Sequence, residues 1–316
     1  MLHDELVNRV LINPIRSGAQ KLAIVSGYAS PNMASWHIKR IRHLNLSTID
    51  ISLIVGMCPH DGLTLSAHEG FGALHALNDS QYSSLSCQYI YQGGETHSKI
   101  YVWLKNEEPF CAFTGSANYT QAAFSAKRRE YMVNCDPVAA YQYYQSLTGD
   151  TIVCNHAEVE DYIALQREHP ILDAENLLAE KQSNSVTLSL LKKSGDVGFG
   201  SGINWGHRQN KTKRDKNQAY IPLPTKIAQS GFFPLSKQHF SVITDDRKFL
   251  IMRVEQQNDK AITTPLNNAS LGEYIRNRIG AANGAFVTKQ DLEKYGRTTV
   301  VFTKLEDEQF YMDFSI

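Results

Sequence analysis

HSKIYVWLKNEEPFCAFTGSAN, residues 97–118, contains two β-type runs, HSKIYVWL and FCAFTGSAN, separated by the polar turn KNEEP. Runs this close in sequence predict a hairpin. Alternate residues of a strand share a face, so His97 and Lys99 point the same way, and the neighbouring strand brings Ser116 and Asn118 near them. An imidazole, an ammonium and an amide donor meeting at one point suit phosphodiester cleavage. Neutral His97 would attack phosphorus while Lys99 and Asn118 stabilise charge on the non-bridging oxygens. The alternative is a solvated His and Lys at a strand edge beside a tight Gly-Ser turn.

Upstream, strand and helix signals alternate. KLAIVSGYAS is β-rich, and PNMASWHIKRIRHL opens with Pro and continues at helical spacing. IDISLIVGMCP and LTLSAHEGFGALHALND repeat that βα unit, SSLSCQYIYQ adds a strand, and downstream REYMVNC and PVAAYQYYQSL read as strand and helix. The expectation is an α/β domain over residues 1–165, a mixed sheet with flanking helices. Residues 166–185 read as a linker. From 186 to 316 short β-rich runs (SVTLSLL, AYIPLP, HFSVIT, KFLIMRVE, RTTVVFTKL, EQFYMDFS) predict a mainly β barrel or sandwich.

The 316 residues are 42% hydrophobic and 20% charged, an ordinary globular composition. Net charge is zero, yet residues 1–189 hold 13 basic against 19 acidic side chains, and residues 190–316 hold 19 against 13. The positive second part suits a segment that meets polyanions, although chance imbalance is the plainer account. Five widely spaced cysteines, Cys58, Cys87, Cys111, Cys135 and Cys154, read as reduced core residues. With no signal-like apolar segment and no run of eighteen apolar residues, a cytoplasmic protein with no membrane partner is expected. No C-x-x-C, H-E-x-x-H, EF-hand or P-loop pattern appears, so no metal or cofactor is assigned.

H-x-K followed by G-S-x-N resembles the phospholipase D superfamily, whose motif reads H-x-K, four residues, Asp, then G-S-x-N. Leu104 stands where that Asp would fall, and the KNEEP turn stretches the spacing. A carboxylate is still wanted to hold the Nδ1–H of a nucleophilic His in one tautomer. Glu130, at the start of REYMV, is the candidate, against the reading of a surface carboxylate paired with Arg128 and Arg129. H-x-K, G-S-x-N and then Glu is similar to the restriction endonuclease branch of the superfamily, of NgoFVII and BfiI type, in which Ser26 and Gly27 of IVSGYAS fit as supporting residues.

The resemblance implies a metal-independent, type II-like restriction endonuclease that forms a covalent phosphohistidine. With one H-x-K paired with G-S-x-N per chain it implies a homodimer whose active site straddles the two-fold. It also implies double-stranded DNA as substrate, a companion methyltransferase in a restriction-modification system and, in some relatives, an ATP-dependent partner.

In the second half, Arg208, Asn210, Lys211, Lys213, Arg214 and Lys216 lie on one basic run that suits phosphates and base edges, unless it is merely a solvated loop. Asn267, Arg276 and Arg278 suggest a second polar arm. BfiI-type enzymes carry a C-terminal module similar to the plant B3 DNA-binding domain, a pseudobarrel, and the layout of residues 190–316 is similar to it. Two other readings stay open: a DNA-binding regulator with an inactive nuclease fold, and a phospholipase D-type phosphodiesterase.

Overall fold

The structure is a computed structural model and describes residues 1–77, 79–125, 128–166, 184–208 and 214–316. The chain divides into two compact units, Met1–Glu168 and His169–Ile316. Most of the linker expected at 166–185 lies outside the described residues.

Seven strands build the sheet of the first unit: β1 (Lys21–Ser26), β2 (Asp50–Val55), β3 (Ser84–Ile90), β4 (Lys99–Lys105), β5 (Glu108–Gly115), β6 (Met132–Cys135) and β7 (Thr151–Val153). Their order is β6-β5-β4-β1-β2-β3-β7. β1, β2 and β3 are parallel and every other pairing is antiparallel, which is the mixed sheet expected. Parallel neighbours need a crossover, and helices α1 (Pro31–His43) and α2 (Leu65–His75) provide it. α1 starts where it does because the Ser30 side chain accepts from Met33 N at 3.2 Å and Pro31 presets the first helical φ. α3 (Pro137–Leu147) is capped in the same way by Asp136.

Alternation along the strands sends Ala23, Val25, Ile54, Val102, Leu104 and Ala112 into a core shared with Ala140 and Tyr144 of α3. The other parity, Leu22, Ile24, Tyr101 and Trp103, is buried as well. Burial on both faces is why these strands read as near-continuous apolar runs. The β4–β5 hairpin turns on Asn106 and Glu107, at φ +52° and +68°, the left-handed pair whose twist matches the flanking strands. Trp103 faces Cys111 while Leu104 faces Pro109, so Phe110 is the surplus residue of a bulge.

The second unit holds β8 (Ser185–Ser189), β9 (Ile221–Pro222), β10 (His239–Thr244), β11 (Phe249–Glu255), β12 (Ala261–Thr263), β13 (Thr299–Glu306) and β14 (Gln309–Asp313). They run in the order β8-β13-β14-β10-β11-β12-β9, and the two end strands approach each other, so the sheet is a nearly closed barrel. Phe233 sits in its core, 5.1–5.5 Å between centroids from Phe240, Phe302 and Phe310. Among the helices that accompany it are α4 (Ser270–Arg278) and α5 (Lys289–Tyr295), the latter started by a capping box of Thr288 and Asp291. Among the described residues no helix is long and apolar enough to cross a membrane.

Candidate active site and nucleic-acid interface

The carboxyl ends of β1 and β2, the start of β4 and the end of β5 meet at one sheet edge, the position at which open α/β sheets bind ligands. Gly27 N donates to Ser98 O at 3.0 Å, and Thr96 N donates to Gly56 O at 3.0 Å. These bonds draw the segment before β4 across the ends of β1 and β2. A Cβ on Gly27 would stand 2.8 Å from His97 Cδ2, so only glycine lets the imidazole lie against this strand end.

His97 is exposed, whereas Lys99, which pairs with Ser26 as the first residue of β4, is 8% exposed. Lys99 Nζ donates to His97 O at 2.6 Å and lies 3.0 Å from each ring nitrogen. Burial lowers the Lys99 pKa, and the charge of Glu130 works in the opposite direction. His97 precedes β4, which starts at Lys99, and it is the Lys99 side chain that reaches back to it. Tyr101, which shares the parity of Lys99, donates from Oη to Ala117 O at 2.9 Å, anchoring the Ser116–Asn118 turn.

Asn118 Oδ1 accepts from Tyr28 N at 3.1 Å. With its carbonyl tied down, its NH2 is left to act as a donor. Ser26 Oγ donates to Tyr28 O at 2.6 Å and accepts from Tyr119 N at 2.9 Å, so Ser26 joins the β1 end to the turn. The Ser116 hydroxyl donates to Glu130 Oε2 and accepts from Tyr131 N at 3.1 Å.

One expectation needs revision. Among the described residues no hydrogen bond joins Glu130 to His97; the carboxylate is held by Ser116. Glu130 precedes β6, which lies two ladder steps, about 9–10 Å, from β4, so the serine on the intervening strand is the nearer partner. Leu104 is 3% exposed in the apolar core, five residues and roughly 17 Å along β4 from Lys99. The missing Asp therefore takes nothing from this edge.

Sequence reasoning missed a neighbouring group. The Tyr28 ring meets the His97 ring edge to face, centroids 5.7 Å apart, and its hydroxyl donates to Asp61 Oδ2 at 2.5 Å. Asp61 Oδ1 lies 2.7 Å from His60 Nδ1. The Tyr28 and then the His60 hydrogen bonds hold the Asp61 carboxyl below its ordinary range. The available signal was topological, because residues just past the ends of β1 and β2 collect at the same edge.

In the second unit Arg208 and Lys216 are exposed, and the Arg214 guanidinium stacks 4.9 Å over Trp205. Asn210, Lys211 and Lys213 lie outside the described residues. Asn267 is exposed and its Oδ1 accepts from Ala269 N at 3.0 Å.

The expected second arm is instead the packed helix α4. Arg276 is fully buried and donates to the carbonyls of Ala285, Gly272, Ile203 and Lys216 at 2.8–3.3 Å, which removes it from any DNA surface. Arg278 binds Asp245 at 2.6 Å and Asp246 at 3.0 Å and donates to Tyr274 and Tyr295, so it is an internal clamp. What lies beside the basic run is the segment 280–287, unmarked in the sequence. Asn204 exchanges two hydrogen bonds with Val287 at 2.7 and 2.9 Å, and Asn217 Oδ1 accepts from Gly284 N at 2.6 Å.

Residues 4–161 match the NgoFVII restriction endonuclease N-terminal PLD domain, and residues 178–306 match the NgoFVII C-terminal B3-like DNA-binding domain. No curated protein matches the chain. Among solved structures, NucT from Helicobacter pylori is 18% identical over 45% of this chain and 87% of its own, with a TM-score of 0.32. Nuc from Salmonella typhimurium, a phospholipase D family member, is 15% identical with the same coverages and TM-score. The polyphosphate kinase from Porphyromonas gingivalis is 13% identical over 46% of this chain and 21% of its own, with a TM-score of 0.31.

Proposed function

Because the chain belongs to the NgoFVII restriction endonuclease family, with a phospholipase D-like nuclease domain and a B3-like DNA-binding domain, we propose that it is a sequence-specific endodeoxyribonuclease whose nucleophile is His97. The observation that carries this reading is the meeting of an exposed imidazole, the Lys99 ammonium 3.0 Å from its nitrogens, and the Asn118 amide at one sheet edge.

A neutral His97 nitrogen attacks phosphorus and forms a P–N bond as one P–O ester bond breaks, giving a phosphohistidine. Lys99 and the Asn118 NH2 take up charge on the non-bridging oxygens, which is the service a metal ion gives elsewhere, so cleavage needs no divalent cation. Burial lowers the Lys99 pKa, and Ser116 fixes Glu130, whose charge opposes that lowering and so favours the ammonium.

One chain offers one H-x-K paired with G-S-x-N, because the other, His37-Ile38-Lys39, has its imidazole fully buried on α1, so a second imidazole comes from a homodimer. His97 of the partner subunit protonates the departing oxygen and then takes a proton from the water that breaks the P–N bond. Arg208, Arg214, Lys216 and Asn267, with Asn210, Lys211 and Lys213, bind the duplex from the second domain. The enzyme works in the cytoplasm within a restriction-modification system, beside a methyltransferase and, where translocation is needed, an ATP-dependent subunit.

Plasmid cleavage in excess EDTA tests this reading. Cleavage persists there, and His97→Ala protein retards the same DNA without nicking it. Acid quenching of the wild type traps a covalent protein–DNA adduct. Nicking by the His97→Ala protein removes this mechanism.

A further inference from the structure

We propose that Phe199 and Phe286 form an apolar face that reads the 5-methyl groups of pyrimidines in a duplex groove, an inference that rests on the second domain being the DNA reader. Phe199 is 57% exposed and Phe286 37%, in a domain where Phe233, Phe240, Phe302, Phe310 and Phe314 fill the core. The two rings touch, with centroids 5.8 Å apart, and His207 backs Phe286 edge-on at 5.4 Å. Leaving such a pair in water is unfavourable, and an apolar patch rimmed by polar groups marks an interaction site.

The rim identifies the occupant. Gly200, next to Phe199, passes so close to Arg208 that a Cβ on it would stand 2.6 Å from the Arg208 Cα. A Cβ on Gly284, two residues before Phe286, would stand 3.3 Å from the Lys216 Cβ. Both cations are exposed, so the patch sits between groups suited to phosphates.

A phenyl ring has no donor or acceptor and reads neither phosphate nor the hydrogen-bonding edge of a base. The apolar mark that a duplex displays in its major groove is the thymine 5-methyl, shared by 5-methylcytosine. The rings already lie against each other, tilted by 33° with centroids 5.8 Å apart, and leave no parallel slot for a base between them. The Phe286 side of the face is also held in advance, because the Asn204–Val287 pair, the Asn217–Gly284 bond and the Arg276–Ala285 bond fix residues 284–287.

The test takes the full chain carrying His97→Ala, so that DNA survives, and selects a bound duplex from a randomised pool. Each thymine of that duplex is then replaced by uracil. At one or more positions the loss of the methyl weakens binding by roughly three- to fivefold, the worth of one buried methyl-sized group. Those same replacements have no effect once Phe199→Ala and Phe286→Ala are added. Arg208→Gln with Lys216→Gln, by contrast, weakens the thymine and uracil duplexes by the same factor. If uracil is as costly in the phenylalanine variant as in its parent, or no position responds, the inference is overturned while the DNA-reading assignment stands. If no duplex is enriched, that assignment falls and takes the inference with it.

Discussion

The Ser116 hydroxyl donates to the Glu130 carboxylate, across the boundary between the G-S-x-N turn and the strand that follows it. This bond joins two residues that the sequence marks separately, and it fixes where the Glu130 charge that acts on Lys99 stands.

Ser116→Ala removes that donor and leaves the carboxylate to wander. A hydrogen bond to a charged group is worth about 1.5–3 kcal/mol, so single-turnover cleavage falls roughly ten- to a hundredfold while DNA affinity stays within about twofold. The pH–rate profile separates positioning from bulk loss. If Glu130 keeps Lys99 protonated, the alkaline limb of the profile moves to lower pH in Ser116→Ala, and further in Glu130→Gln. Unshifted limbs in both variants would remove the electrostatic role.

Much of this edge was legible from the chain. The i, i+2 spacing of His97 and Lys99 predicts that they lie together, and they do, although His97 precedes β4 and the contact is made by Lys99 reaching back. The IVSG run announces a strand that ends in a close approach. What could not be read depends on contacts between distant segments. Tyr28, Asp61 and His60 carry no local pattern, and the preference of Glu130 for Ser116 follows from strand order. In the second domain polarity was misleading. α4 holds Gly272, Tyr274, Arg276 and Arg278, which look like a solvated arm, yet the guanidiniums are occupied inside the fold by carbonyls and carboxylates.

Leu104→Asp restores the letter of the superfamily motif and tests whether that letter matters here. The position belongs to the core with Val102, Ala112 and Tyr144, so the change buries an unpaired carboxylate at about 4 kcal/mol or more. The expected outcome in chemical denaturation is a large loss of stability, with no gain in cleavage rate per folded molecule. An increase in that rate would put position 104 back into the catalytic machinery.

Arg276 and Arg208 should part company under substitution. Arg276→Met leaves four carbonyls short of a donor, at about 1 kcal/mol each, so the protein loses roughly 4 kcal/mol of stability. DNA affinity of its folded fraction is unchanged. Arg208→Gln keeps its stability, weakens binding to all sequences alike and flattens the salt dependence by about one unit of log-log slope. Thermal unfolding measured beside salt-titrated binding distinguishes the two, and a salt slope altered by Arg276→Met would return that residue to the interface.

Acid should loosen the first domain through His37. This side chain is fully buried on α1, and its Nδ1 lies 2.9 Å from the hydroxyl of Tyr119, the residue after Asn118. Burial pushes its pKa down to about 4 from an ordinary 6.5, the Leu11 backbone carbonyl offsetting only part of the effect. Between those values the unfolded chain binds the proton and the native one does not, so stability rises with pH there. The contribution is intact above pH 6.5 and is lost as the pH falls towards 4, amounting to roughly 2 kcal/mol between pH 7 and pH 5. Urea unfolding of the wild type therefore weakens more steeply over that interval than that of His37→Asn, which keeps a polar partner for Tyr119 but has no proton to gain. Parallel curves for the two proteins would mean that His37 titrates normally in the native state, and that the anchor beneath the Asn118 turn is indifferent to acid.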